Sequence, residues 1–133
     1  MVTINRKIRT FSDLNMLFSA HPATADVTKK TDEEAIKASI KNLILTKNYE
    51  RPFHPEIGCQ IHSLMFELWD PVLKNIMQRT IKDVLDKFEP RANILSVDVV
   101  DNGDNNELSV TVEFITQNIS TPVTVTTTLS RVR

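Results

Sequence analysis

One cysteine and two histidines form the first candidate group for chemistry. Cys59 follows a glycine, with His54 before it and His62 after it. A thiolate activated by a nearby imidazole is a common enzymatic nucleophile. A lone cysteine is, however, more often a small buried apolar residue, and two histidines eight positions apart, without a carboxylate in a hydrolase spacing, do not define a metal site. We therefore predict no catalytic residue, no metal and no cofactor here.

Carboxylates close to one tryptophan form the second candidate group. Glycoside hydrolysis needs two carboxyl groups about 5–10 Å apart, one of them with a raised pKa. Four acids surround Trp69 in the sequence: Glu50, Glu56, Glu67 and Asp70. With 17 acids in 133 residues, such proximity is expected by chance. Glu67 and Asp70 are explained more simply as a solvated helix end and a helix N-cap, and Trp69 as a packing residue.

Composition excludes several other classes of function. Sixteen basic and seventeen acidic residues give a formal net charge of -1, so nothing predicts a nucleic acid or a membrane as partner. The two glycines, Gly58 and Gly103, are too few for a glycine-rich phosphate loop. One cysteine forms no intramolecular disulfide, which suits a reducing compartment. We find no signal peptide and no apolar run near the roughly 18–20 residues of a membrane span.

The candidate residues are positioned by predicted helices in the first two thirds of the chain. Residues 1–32 read as a largely irregular arm. Thr31 and Glu34 have the spacing of a capping box and predict a helix start, followed by apolar residues on one face. A rigid loop with two prolines then leads to a short helix at residues 60–68, which we expect to bury Ile61, Leu64, Met65 and Leu68. Asp70 and Pro71 predict the start of a long helix that Pro90 ends.

After Arg91 the period of the apolar residues changes from helical to two. Three strands follow in the order of a meander, and their predicted inward faces carry these residues: Leu95, Val97, Val99; Leu108, Val110, Val112, Phe114; Val123, Val125, Thr127, Leu129. Polar turns lie at residues 101–106 and 118–122. We predict one α+β domain over residues 1–133, with the helices and proline loop at 33–91 packed on one face of a three-stranded antiparallel sheet at 92–133.

Two motifs carry a resemblance to a known family. The loop RPFHPEIGC at residues 51–59, followed by LMFE at 64–67, and the tripeptide Glu89-Pro90-Arg91 closely resemble the baseplate wedge sheath-initiator proteins of contractile phage tails, above all those of T4-like phages. Relatives of this family occur in the baseplates of type VI secretion and other contractile injection systems. The resemblance extends from Leu14 onward.

The resemblance implies a structural protein of the virion, located in the tail baseplate and assembled in the host cytoplasm. Its implied partners are baseplate wedge proteins, the tail sheath protein and the tail tube. Some family members are also labelled lysozyme-like, which keeps a baseplate-associated peptidoglycan hydrolase as the alternative function.

The resemblance assigns baseplate docking to Glu89, Pro90 and Arg91. Proline ends the helix there, and arginine offers a planar fork that binds carboxylates or carbonyls. The residue types alone also allow an internal clamp, in which Glu89 and Arg91 fasten the end of the helix to neighbouring backbone. The same two interpretations, internal brace or partner surface, apply to six residues of the proline loop: Arg51, Pro52, Phe53, Pro55, Glu56 and Gly58.

The last strand, at residues 122–131, is the third predicted partner site. A strand at the chain end can lack a neighbour on one side, and its free amides and carbonyls then form a template for another chain. Pro122 guards the beginning, and Arg131 and Arg133 flank the far end. We predict sheath strand addition along the unguarded part: Val123, Thr124, Val125, Thr126, Thr127, Thr128 and Leu129.

Overall fold

The computed structural model describes residues 11–116 and 119–131 of the chain. Its strands are β1 (Ser12–Leu14), β2 (Lys29–Thr31), β3 (Ala92–Asn102), β4 (Glu107–Thr116) and β5 (Ile119–Ser130), and its helices are α1 (Asp32–Leu45), α2 (Ile61–Leu64) and α3 (Pro71–Phe88). An antiparallel sheet of order β3-β4-β5 lies near the C-terminal end. The predicted α+β class is confirmed, with α3 against β3 and α1 against β5.

The arm before α1 contains a short antiparallel ladder that the sequence pattern did not indicate. β1 pairs with β2, so that Asp13 lies opposite Lys30. The predicted arm at residues 1–32 is therefore partly ordered where it is described, while residues 1–10 lie outside the described part.

Helix α1 begins at the predicted place but without the predicted capping box. Thr31 occupies the N-cap position, yet its side chain makes no capping hydrogen bond. Asp32 instead binds the main chain of Phe11: its amide donates to the Phe11 carbonyl at 2.8 Å, and its Oδ1 accepts from the Phe11 amide at 3.1 Å. The helix start is thus fastened to the β1–β2 ladder, and the capping-box prediction was wrong because Thr31 is the last residue of β2.

Helix α3 follows the prediction closely. The side chain of Asp70 accepts hydrogen bonds from the amides of Val72 and Leu73, the latter at 2.9 Å, and Pro71 is the first helical residue. The buried face is narrower than expected, since Val72 and Ile76 are exposed. Its buried residues recur every four positions: Leu73, Met77, Ile81 and Leu85.

Helix α2 is shorter than predicted and buries fewer residues. Ile61 is buried within it and Met65 directly after it, whereas Leu68 is 89% exposed. The chain leaves the helix after Leu64, so the helical spacing that would turn Leu68 inward no longer applies.

The central strand β4 alternates as predicted, with Leu108, Val110, Val112 and Phe114 fully buried beneath the helices. Strand β3 departs from its prediction at Leu95, which is exposed rather than inward-facing. A β-bulge between Ile94 and Ser96 shifts the register, so Ile94 points inward before it and Val99 after it. One extra residue exchanges the two faces of a strand, and a strict period of two does not reveal it.

Candidate functional site

The Glu-Pro-Arg corner is a buried carboxylate held by a planar guanidinium. Oε1 of Glu89 accepts a hydrogen bond from Nε of Arg91 at 2.6 Å, and Oε2 accepts one from Nη2 at 2.7 Å. The Glu89 side chain is 2% exposed and that of Arg91 is 25% exposed. Burial opposes ionisation of Glu89, but hydrogen bonds from Arg91 and Ser39 outweigh it and lower its pKa. The pair is therefore charged and bidentate.

The same guanidinium extends to the N-terminal arm. Nη1 and Nη2 of Arg91 each donate to Oδ2 of Asp13 at 3.2 Å. The guanidinium carbon also lies 5.5 Å from the centre of the Phe11 ring, a cation–π arrangement. Arg91 thus joins the end of α3, the start of β3 and the arm, which are distant in sequence.

These contacts are those expected of the internal clamp. Baseplate docking by Glu89, Pro90 and Arg91 stays a prediction, and the clamp does not exclude it. Asp13 was missed by sequence reasoning because it lies 78 positions from Arg91 in a segment without a motif. No periodicity or spacing connects the two residues, so only the folded chain identifies this partner.

The base of the proline loop is fastened to the residues after α1. The Cys59 amide donates to the Thr46 carbonyl at 2.8 Å, and the Tyr49 amide donates to the Pro55 carbonyl at 3.1 Å. A Cβ on Gly58 would lie 2.6 Å from the carbonyl oxygen of Lys47, closer than side-chain carbons approach backbone. Glycine at position 58 is therefore required by this close approach.

The tip of the proline loop is exposed to solvent. The Phe53 side chain is 96% exposed, and Tyr49 is also exposed. Arg51, Pro52, Pro55 and Glu56 are exposed around them. The loop thus combines a fixed base with a protruding aromatic residue. Both predicted roles, internal brace and partner surface, are compatible with this arrangement.

Strand β5 has one paired and one open side within the described part of the chain, because its neighbour in the sheet is β4 alone. The Arg131 amide donates to the Asn106 carbonyl at 2.7 Å. Main-chain groups of an antiparallel strand alternate in direction, so the groups of Leu129, Thr127, Val125 and Val123 also point to β4. Those of Thr128, Thr126 and Thr124 point outward to the open edge.

The opposite edge of the sheet, on β3, is contacted by side chains of α3. Asp98 of β3 projects from the face away from the helices, yet Nζ of Lys74 lies 2.9 Å from its Oδ1. Nε2 of Gln78 approaches the same oxygen at 3.4 Å. Both partners belong to α3, so two of its side chains reach past β3 to Asp98. The two edges therefore differ in these side-chain contacts at Asp98.

Arg131 does not guard the end of β5 as the sequence suggested. Its Nη2 lies 3.0 Å from Oδ1 of Asp101, across β4 on β3, and both side chains are largely buried. The guanidinium is thus directed over the sheet and away from the open edge. The predicted flanking residue Arg133 and part of the predicted turn at 118–122 lie outside the described residues.

The candidate nucleophile and metal ligands do not form a site. Cys59 is buried in the core, and burial raises the pKa of its thiol, which disfavours the reactive thiolate. His54 pairs with Glu56 at 3.2 Å on the surface, and Nε2 of His62 lies 3.0 Å from the Leu45 carbonyl. Over residues 11–116 and 119–131, no group of three or more metal-ligating side chains is found.

The four acids near Trp69 have separate structural roles. Oε2 of Glu50 accepts from the Lys47 amide at 2.8 Å, and Asp70 caps α3. Glu67 is exposed, and Trp69 packs against the core. The pKa of Glu56 is lowered by its own backbone amide and by His54. A general acid needs the opposite shift.

No described helix is both long enough and apolar enough to cross a bilayer.

Comparison with known proteins gives consistent matches. The family model for "Baseplate wedge protein gp25" matches residues 30–119. The baseplate wedge protein gp25 of Enterobacteria phage T4 is 33% identical over 89 residues, which cover 67% of each chain. A Geobacter sulfurreducens structure described as a "putative tail lysozyme" superposes with a TM-score of 0.70 at 24% identity, over 76% of this chain and 92% of the other.

A chain in the baseplate of the anti-feeding prophage superposes with a TM-score of 0.64 at 20% identity, over 90% of this chain and 84% of the other. At these identities the two structural likenesses show a shared fold.

Proposed function

Since the chain belongs to the family of baseplate wedge protein gp25, we propose that it initiates the tail sheath by offering the open edge of β5 to a strand of the first sheath ring. As a family member it is a baseplate wedge protein of a contractile tail, located in the tail baseplate of the virion, where it assembles with other baseplate proteins. The identity of the sheath as the strand-adding partner is the part that we propose.

The observation that carries the proposal is the unpaired side of β5. Its main-chain groups at Thr124, Thr126 and Thr128 face outward, and no described strand pairs with them. An unpaired strand edge of this length promotes aggregation unless another chain pairs with it. Strand addition fits it because main-chain hydrogen bonds supply affinity over several residues.

Attachment to the wedge is proposed for a different part of the surface. The proline loop offers Phe53, a fully protruding aromatic side chain on a fixed base, and exposed aromatic anchors are frequent in protein interfaces. Glu89, Pro90 and Arg91 contribute by fixing the corner, with the exposed quarter of Arg91 and the neighbouring Asp13 available to a wedge protein. We propose the tail tube as a further neighbour.

A peptidoglycan hydrolase is the second candidate, favoured by the wording attached to the Geobacter structure. We propose that this chain acts without catalysis, because the acids that suggested the activity have structural roles: Glu50 binds a loop amide, and Asp70 caps a helix.

The proposed function is tested by placing proline on each side of β5. Thr126→Pro removes an outward amide that no described strand uses, so the domain should fold and enter the wedge, but sheath should not assemble on it. Thr126→Val keeps the amide and should support normal sheath. Thr127→Pro removes an amide that faces β4 and should destabilise the domain.

The readouts are thermal melting, wedge incorporation and electron microscopy of tails. Normal sheath on folded Thr126→Pro protein would refute strand addition at β5.

A further inference from the structure

A groove opens directly beside the free edge of β5. It has a volume of about 320 Å³ and lies between the end of α1, helix α2 and the last three residues of β5. Its lining residues are Leu45, Lys47, His62, Met65, Phe66, Thr128, Leu129 and Ser130.

The groove is continuous with the strand edge. Thr128 and Ser130 project from the face away from the helices, whereas Leu129 projects toward them. Residues from both faces of β5 line one groove because it passes around the final residues of the strand. A strand added to β5 would therefore have side chains next to this groove.

Half of the lining residues are apolar, and two of these are incompletely covered. Met65 and Leu129 form a buried floor, and Leu45 and Phe66 are exposed at 38% and 66%. An incoming residue opposite Leu129 points to the same face of the sheet as Leu129, because facing residues of neighbouring strands share a face. That face carries the apolar part of the groove, to which Leu129 contributes.

The positive charge of the groove favours partner strands that carry a carboxylate. Lys47 is the one permanently charged residue in the lining, and the lining contains no carboxylate. The nearby Glu50 carboxylate binds the main-chain amide of Lys47, and no described carboxylate pairs with the Lys47 ammonium. A partner carboxylate near the apolar residue would be attracted to Lys47.

We propose that this groove is the specificity pocket of the strand-addition site. Its occupant is a strand of the sheath subunit with a large apolar side chain opposite Leu129 and a carboxylate nearby on the same face. The main chain of β5 supplies sequence-independent pairing, and the groove fixes the register, since a slip by one residue would turn the apolar side chain to the threonine face. The inference rests on the proposed strand addition.

The test uses two groove variants with matched controls in the full-length protein. Phe66→Asp charges the exposed wall, and Leu68→Asp places the same charge at an exposed leucine outside the lining. Lys47→Glu reverses the groove charge, and Lys41→Glu reverses an exposed charge on α1.

Both groove variants should bind purified sheath subunit at least about tenfold more weakly, as expected for losing one large apolar contact or one charge pair. Both controls should bind like wild type, and all four should enter the wedge. A photo-crosslinking residue at position 66 should capture the sheath subunit.

Two results would overturn the inference in distinguishable ways. Normal sheath binding by both groove variants, with binding abolished by Thr126→Pro, would reject the groove and retain strand addition. Normal binding by Thr126→Pro as well would reject strand addition itself. A crosslink from position 66 to a wedge protein alone would assign the groove to wedge attachment and also reject the inference.

Discussion

The carboxylate of Glu89 and the guanidinium of Arg91 face each other in a bidentate pair across a single proline, at 2.6 and 2.7 Å. The carboxylate is buried, so its charge depends on the arginine for compensation. The remaining donors of Arg91 hold Asp13, which adds the N-terminal arm to the same corner.

Arg91→Ala should lower the free energy of unfolding by about 2 kcal/mol, because it leaves the buried Glu89 charge unpaired. The value is below that of a fully buried pair since Arg91 is partly exposed. Urea unfolding followed by circular dichroism measures it. Arg91→Lys should recover only part of the loss, because lysine cannot form the planar fork.

The double variant Glu89→Gln/Arg91→Met separates the clamp from docking, because it removes the buried charge together with its partner. Its stability should exceed that of Arg91→Ala. Incorporation of this variant into the wedge at the wild-type level would show that docking does not need the corner, whereas a stable protein that stays out of the wedge would support docking.

The Glu89 pair also predicts a dependence of stability on acid. The pKa of Glu89 is lowered from its ordinary value of 4.5, so its contribution to stability is complete above pH 4.5 and is lost as the pH falls through the lowered pKa. Melting temperatures measured between pH 7 and pH 3 should therefore fall less steeply for Glu89→Gln than for wild type. A slope that Glu89→Gln leaves unchanged would contradict this assignment.

Gly58→Ala should destabilise the domain by about 2 kcal/mol or more, because the new Cβ would lie 2.6 Å from the Lys47 carbonyl oxygen. Gly103→Ala is the matched control, since nothing lies within 4 Å of its added Cβ. It should change the free energy of unfolding by less than about 0.5 kcal/mol. Equal effects of the two changes in chemical denaturation would contradict the role assigned to the loop base.

Thr127→Val should stabilise the protein by about 1 kcal/mol. The Thr127 hydroxyl is buried without a hydrogen-bond partner, and valine fills the same volume without a polar group. The exposed Thr126→Val is its control and should be close to neutral in a thermal melt. A destabilised Thr127→Val protein would show that the hydroxyl has a partner.

Purified protein should not clear peptidoglycan under conditions in which a known lysozyme does. The reason is that Glu50 binds a loop amide, Asp70 caps α3, and the pKa of Glu56 is lowered, whereas a general acid needs a raised pKa. Measurable turnover that disappears on changing one of these acids to its amide, with the fold unchanged, would establish the hydrolase instead.

Local patterns of the sequence determined the elements of this protein. Helix α3 was predicted with its Asp70 cap and its end before Pro90, and the buried face of β4 was predicted residue by residue. Both follow from backbone geometry, since a period of 3.6 or 2 in apolar residues reports how a helix or a strand lies against a core. The α+β class followed from their order along the chain.

Contacts between distant segments were decided only by the tertiary structure. Asp13 meets Arg91 across 78 positions, Arg131 crosses the sheet to Asp101, and the bulge at Leu95 exchanges the faces of β3. The sequence indicated an open edge at β5, and the strand order decided that no described strand pairs with its outward side. Such features depend on how complete elements pack together, and no local period of side chains encodes that arrangement.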